Sequence, residues 1–329
     1  MRILILSDGI PGHFNQSLGI VKILSEEIKI DYEIIESKLK YKLLRSFLMQ
    51  LQKLLSMNFN LINAKIILGF FHKIDLKKFD LIVSTGKKVS YHSASLSLVS
   101  GIKNIHAGTI KNIDMKFYSA HITGAPNNKS PNNIVTTIPP TRFKPIENKI
   151  NLENKLALFL IGGDGAGYSY DLNDWNMLTN NIEYIFDKDN IRPIIVTSRR
   201  TNKAHEQFLF NKLNHLADND SIWFHKEKTK LNLEQLFIKA SFIFVTEESA
   251  TMTAEAISSG LPVTTLYPDN LNIKHNFLSH IRKYEKMRFI RRLNLSENLA
   301  SYNNDITISE AVIQIRDELK QNILEKINI

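Results

Sequence analysis

FIFVTEESATMTAEAISSGLPV, running from Phe242 to Val263, is the stretch on which the fold turns. Phe242 to Val245 is an apolar run too short for most helices and rich in strand formers. Thr246-Glu247-Glu248-Ser249 follows as a polar turn, and Ala250 to Ser259 reads as a helix. Gly260 stands where a C-cap glycine ends a helix, and Pro262-Val263 begins another short strand. A strand feeding a helix start makes a ready anion site, because the first-turn N–H groups have no partner within the helix. Ser249 and Thr251 stand at that start, either to donate to a phosphate or simply to cap the helix, the commoner fate.

Working outward, the second half repeats this plan. Lys155 to Ile161 reads as a strand, Gly162 to Gly167 as a glycine turn, and Asp171 to Phe186 as a helix capped by Asp171. Ile194 to Thr197 is a further strand, then Ser198-Arg199-Arg200-Thr201 and a helix from about Asn202 to Leu216. Ile222 to Phe224 is expected as a strand, Leu233 to Lys239 as a helix, and Ile308 to Ile327 as a closing amphipathic helix. Gly162 and Gly163 let a pyrophosphate reach backbone N–H groups, or form a plain tight turn. Their spacing is not the dinucleotide fingerprint, and Asp164 repels phosphate. Arg199 and Arg200 carry forks that match phosphate oxygens, so either suits a diphosphate; the alternative is a solvated surface pair.

The first half opens alike. Arg2 to Leu6 is an apolar strand running into Ser7-Asp8-Gly9-Ile10-Pro11-Gly12-His13, with a helix expected over Asn15 to Ile28. Tyr32 to Ile35, Phe79 to Ser84 and Lys103 to Ala107 read as strands, with Thr85-Gly86-Lys87-Lys88 leading a helix through Val99. Gly124 to Asn133 is loop, and Pro139 to Asn154 is a polar, proline-marked linker. Alternation of this kind predicts parallel sheets with helices on both faces. His106 and His121 read as structural residues, and the Asp and His residues lack tight metal spacing.

Charge is unevenly placed. Residues 1–150 carry 21 Lys and Arg against 10 Asp and Glu, whereas residues 151–329 carry 21 against 23. A basic first half points to an anionic partner, lipid surface or nucleic acid, although a lysine-rich proteome also supplies lysines. The basic residues concentrate between Ser37 and Ile74, where seven of them meet no acidic residue. Leu43, Leu44, Phe47, Leu48, Leu51, Leu54 and Leu55 recur there at helical spacing. That segment fits an anchor on an anionic leaflet, or a helix whose leucines face the core. Nucleic acid is disfavoured because no aromatic platforms interleave with the lysines. Cysteine is absent, which suits a reducing cytoplasm and excludes thiolate chemistry. No apolar run reaches spanning length, so the expected location is cytoplasmic, including the inner face of the membrane as a peripheral protein.

Specific words in the chain go further. Ser7-Asp8-Gly9, Pro11-Gly12-His13, Asn15-Gln16, Gly162-Gly163, Thr197 to Thr201, Val245-Thr246, Ser249, Met252 and Glu255-Ala256 together resemble the mitochondrial fission ELM (elongated mitochondria) family. One departure is that the family's usual Asp before this serine is Glu248 here. The resemblance implies a bacterial member with a GT-B-like fold: two doubly wound Rossmann-like domains, residues 1–145 and 152–329, facing across a cleft. The closing helix would be free to pack back on the first domain. It further implies a metal-independent glycosyltransferase of the cell envelope, with a nucleotide-sugar as substrate and no cofactor. In that plan the second domain holds the donor through Gly162, Gly163, Arg199, Arg200, Ser249, Thr251 and Glu255, the last gripping ribose hydroxyls. The first domain would hold a lipid-linked or lipopolysaccharide-type acceptor near Gly12, Asn15, Gln16 and Gly86; Asn15 and Gln16 also suit a plain helix start.

An inverting enzyme of this type needs a base for the acceptor hydroxyl, and the imidazole of His13 suits that task. Asp8 could serve equally, or orient the histidine. Two other readings stand beside the transferase: a nucleotide-sugar epimerase on the same fold, and a non-enzymatic membrane scaffold like the eukaryotic relatives, which recruit a dynamin-type partner in mitochondrial fission.

Overall fold

Apolar runs closed by glycine or polar turns become the strands of two parallel sheets. The computed structural model describes residues 1–110, 112–126, 130–146, 155–226, 232–273, 275–299 and 309–328. The first sheet is built from β1 (Arg2–Ser7), β2 (Asp31–Glu36), β3 (Leu81–Thr85), β4 (Lys103–Ala107), β5 (Ala120–Thr123) and β6 (Asn133–Val135). Its order is β2-β1-β3-β4-β5-β6, with every pairing parallel. Among these strands run α1 (Pro11–Leu24), α2 (Arg45–Met57), α3 (Leu61–Gly69) and α4 (Lys87–Ser100). The second sheet comprises β7 (Leu156–Leu160), β8 (Arg192–Val196), β9 (Phe242–Thr246), β10 (Val263–Tyr267) and β11 (Arg291–Asn294), ordered β11-β10-β9-β7-β8 and again parallel. It carries α5 (Leu172–Asp189), α6 (Lys203–Leu213), α7 (Leu233–Lys239), α8 (Ala250–Ser258) and α9 (His275–Lys286); α10 (Ser309–Ile327) closes the chain.

The chain divides into two compact units, one of Met1–Arg142 with Gln314–Ile329 and one of Phe143–Ile313. Strands covered on both faces must be apolar throughout, and Ile3 to Leu6 are accordingly without exposed surface. Leu319, Ile323 and Ile327 of α10 join Ile3, Ile5 and Ile20 in one core. In the second unit Phe159 and Phe244 stack at 4.7 Å from adjacent strands, above the Trp175, Leu178, Ile182 and Ile185 face of α5.

Several elements depart from the expectations of the sequence. α1 begins at Pro11 rather than Asn15, because a proline is pre-organised for the first helical position. His13 therefore sits in a helical first turn, not in the loop before it. The basic segment breaks into α2 and α3 where Asn60 caps the second helix, its side chain accepting from Ile62 and Asn63 N–H. Ile222 to Phe224 is not a strand; only Ile222 makes an isolated bridge, to Val196. The short strands β5, β6 and β11 were unanticipated, being polar or broken by histidine and asparagine. Of the expected linker, 147–154 lies outside the described residues, while Pro140 and Thr141 are buried and Ile146 N–H donates to Ser259.

Both sheets reverse their direction of growth once, between β1 and β3 and between β7 and β9. Beyond the carboxyl ends of strands at such a switch, crossover helices leave to opposite faces and the loops part, so ligands bind there.

Candidate functional site

In the first unit the switch point holds Asp8 and His13. Asp8 follows β1, and its Oδ1 accepts from Ile10 N–H at 3.1 Å, which fixes the turn into α1. Its Oδ2 lies 2.9 Å from His13 Nδ1, with the Asp8 side chain 4% and the His13 side chain 35% exposed. A carboxylate only accepts, so Nδ1 carries a hydrogen, and in the neutral imidazole the lone pair is then on Nε2. Gly86, at the head of α4 with φ +97, makes this possible: a Cβ there would lie 2.2 Å from His13 Nδ1. Gly86 thus seats the imidazole. The pair opens into a cavity of about 860 Å³ lined by residues of α1, α2, α4 and the segment after β2. Gly12, Asn15 and Gln16 are half-buried on α1 and do not line it.

Three other histidines of this unit, His92, His106 and His121, lie inside. His106 is fully buried, hydrogen-bonded to Ser84 Oγ at 2.9 Å, and pushed down to about 3 chiefly by burial. His121 meets the Gly108 carbonyl at 2.6 Å, and burial lowers it also.

In the second unit the switch point brings three loops together. Gly162, after β7, donates its N–H to Thr246 Oγ1 at 2.7 Å, and Gly163 donates to Glu248 Oε1 at 3.2 Å. These two N–H groups are engaged by the chain itself. The close approach requires glycine, since a Cβ on Gly162 would fall 1.6 Å from Glu248 Oε1. Thr201, after β8, ties the third loop to the carbonyls of Ile161 and Gly162. Arg200 Nη1 donates to the Glu248 carbonyl at 3.3 Å and lies 3.9 Å from Glu248 Oε1. Its Nε and Nη2 make no hydrogen bond among the described residues, and its side chain is 40% exposed. Arg199 is exposed beside it.

Ser249 caps α8, its side chain accepting from Met252 N–H at 3.4 Å, and is buried. Thr251 is half-buried in the first turn, and Glu255 lies buried further along the helix.

The residues that sequence reading missed are the two glutamates of the turn. Glu247 is fully buried and accepts from both Nε and Nη2 of Arg292 at 2.7 Å, from Thr265 and from Tyr168. A bidentate pair so fully satisfied is structural. Glu248 sits beneath the glycine turn, with Tyr170 donating to Oε2, and burial pushes it up to about 7. The signal was in the sequence: two acids between a buried strand and a helix start need partners. Among the described residues no cluster of three or more His, Cys, Asp or Glu is placed to hold a metal ion.

The chain is similar to a UDP-GlcNAc 2-epimerase from Neisseria meningitidis bound to UDP-GlcNAc, at 13% identity and TM-score 0.50, all of both chains being covered. The glycosyltransferase SnogD from Streptomyces nogalater matches at 11% identity and TM-score 0.49, over 98% of this chain and 95% of that one. The ADP-heptose lps heptosyltransferase II of E. coli matches at 12% identity and TM-score 0.43, over 100% and 99%. No curated protein sequence matches significantly. Two doubly wound parallel units make the fold GT-B-like. The profile of the family described as Mitochondrial fission ELM1 matches residues 11–313, from the first turn of α1 into α10, and the chain belongs to that family.

Proposed function

We propose that the protein is a metal-independent glycosyltransferase. It moves a sugar from a nucleotide-sugar to a hydroxyl of a lipid-linked or lipopolysaccharide-type acceptor of the cell envelope, on the cytoplasmic face of an anionic membrane. The observation that carries this reading is the Asp8–His13 pair, at a switch point and open to a cavity large enough for a substrate. Nε2 of His13 takes the acceptor hydroxyl's proton while that oxygen bonds to the anomeric carbon. The bond from that carbon to the diphosphate oxygen breaks, and the nucleoside diphosphate leaves with the electron pair. Asp8 stabilises the imidazolium that forms. On the donor side, the free N–H groups of Arg200 and the first turn of α8 suit the leaving diphosphate. Glu255 is assigned to the ribose hydroxyls, where bonds to a charged acceptor are worth about 1.5–3 kcal/mol each.

The test is calorimetric titration with nucleoside diphosphates, with melting curves taken without ligand. Glu255→Gln should weaken binding roughly ten- to a hundredfold and leave the ligand-free melting temperature unchanged. His13→Ala should keep donor affinity and lose about 10²–10⁴-fold in turnover. A wild type that binds no nucleoside diphosphate overturns the transferase. The non-enzymatic scaffold then becomes the better account, on the strength of the exposed apolar surface of α2 and α3.

A further inference from the structure

The helix α2 carries apolar residues on its covered and its open side alike. Its covered face carries Leu48 together with the polar Gln52 and Ser56, whereas Phe47, Leu54 and Met57 are 61%, 64% and 71% exposed. Leu43 and Leu44 just before it, and Leu61 and Ile62 at the start of α3, are exposed as well. Phe47, Leu54 and Met57 fall at i, i+7 and i+10, so they share one stripe. A helix that faces only water has no reason to spend its apolar residues there.

The side of the same helix turned away from that stripe is different in kind. Arg45, Met49, Gln52 and Lys53, at i, i+4, i+7 and i+8, wall the cavity that contains Asp8 and His13. The lining also includes Lys87 and Lys88 at the head of α4, a helix start with no side-chain cap. Five Lys or Arg line this space against two acids, Asp8 and Glu36. Both acids are engaged, Asp8 by His13 and Glu36 by Lys38 at 2.8 Å. Arg45, Lys53 and Lys88 form no ion pair among the described residues. Gln52 is 5% exposed, and its Nε2 is a buried donor with no acceptor among the described residues. A buried donor left open costs stability unless a ligand completes it.

We infer that this cavity takes the phosphate-bearing headgroup of an anionic membrane lipid, with the exposed stripe of α2 and the start of α3 seated among the lipid chains. The claim rests on the acceptor reading of the same cavity and names the class of that acceptor: an amphiphile whose phosphate is held by Arg45, Lys53, Lys88 and the Gln52 amide. One helix thereby reads both parts of the molecule. Its cationic stripe meets the headgroup and its apolar stripe meets the tails, as charge and surface complementarity require.

Flotation of the full chain with vesicles tests this without donor or turnover, so failure of the transferase reading cannot be confused with failure here. The vesicles are phosphatidylcholine alone or phosphatidylcholine with phosphatidic acid, at low salt. Wild type should partition to the phosphatidic acid vesicles at least tenfold more strongly. The double variant R45A/K53A should lose on the order of thirtyfold in that partition. F47S/L54S should lose partition that added salt does not explain, while Lys212→Ala on the second unit should change little. All four substituted residues of the two double variants are exposed except as cavity wall, and unchanged melting curves verify their folding. Equal partition to both vesicle types, a wild-type result for R45A/K53A, or an equal loss in Lys212→Ala each overturns the inference. Glycerol 3-phosphate that stabilises the protein in solution as strongly as the vesicles would make this a soluble-anion site and overturn the lipid assignment.

Discussion

Glu248 shows how one residue couples a site to stability. Its carboxyl is covered by the glycine turn, and burial pushes it from an ordinary value of 4.5 up to about 7; the Thr246, Gly163 and Arg200 donors offset only part of that. Between these values the folded protein holds a proton that the unfolded chain has released. The associated stability is fully present below pH 4.5 and is lost as pH rises through 7. The loss is on the order of 3 kcal/mol. Glu248→Gln, which keeps the shape and cannot ionise, should remove this dependence. Melting temperatures of wild type relative to the variant should fall across that window, and parallel curves would mean the carboxyl ionises at its ordinary value. The family's usual aspartate is a methylene shorter. The glutamate reaches under Gly162, where a Cβ could not be accommodated.

At the scale of elements, end chemistry decides where helices begin. Asp171 accepts from Asp174 N–H and Asp174 accepts from Asp171 N–H, both at 2.9 Å, a reciprocal box that starts α5. The cap aligns the face whose Trp175, Leu178, Ile182 and Ile185 have no exposed surface. Asp171→Ala should cost about 0.5–2 kcal/mol, read as a lower denaturation midpoint with an unchanged slope. α2 obeys a different logic, since Leu48 and Leu55 are covered by its own unit while Phe47, Leu54 and Met57 are not. Helical spacing located that helix in the sequence, yet spacing alone is the same whether a stripe faces a core or a membrane.

For the whole molecule, the first unit is completed by the end of the chain. Arg316 of α10 donates through Nε and Nη2 to Glu26 Oε1 at 3.2 and 2.8 Å, and through Nη1 to the Thr141 carbonyl at 3.3 Å. Lys103 Nζ donates to the Ile327 carbonyl at 2.7 Å. Both partners of the Arg316–Glu26 pair are nearly covered, so Arg316→Ala leaves a carboxylate short of its main donor. The expected loss is on the order of 3 kcal/mol, or roughly 6–12 °C in the melting of the first unit. Calorimetry that shows the second unit's transition lowered instead would reassign the helix. Among the described residues, no helix is long and apolar enough to cross a membrane.

The sequence by itself determined what depends on neighbours along the chain. Strands such as Lys103–Ala107, the Asp171 cap and the Gly260 stop are written in runs of a few residues, because dihedral preference, capping and burial pattern act over one or two turns. Both switch-point loops were legible for the same reason: glycines and polar residues interrupt apolar runs there. Only the tertiary structure decided the partners. Glu247 finds Arg292 at a separation of 45 residues, and Glu248 finds Gly163 at 85. These meetings follow from the order β11-β10-β9-β7-β8, which places β9 between β7 and β10. Strand order is set by the packing of whole faces and by crossover handedness, and no local run of residues carries it.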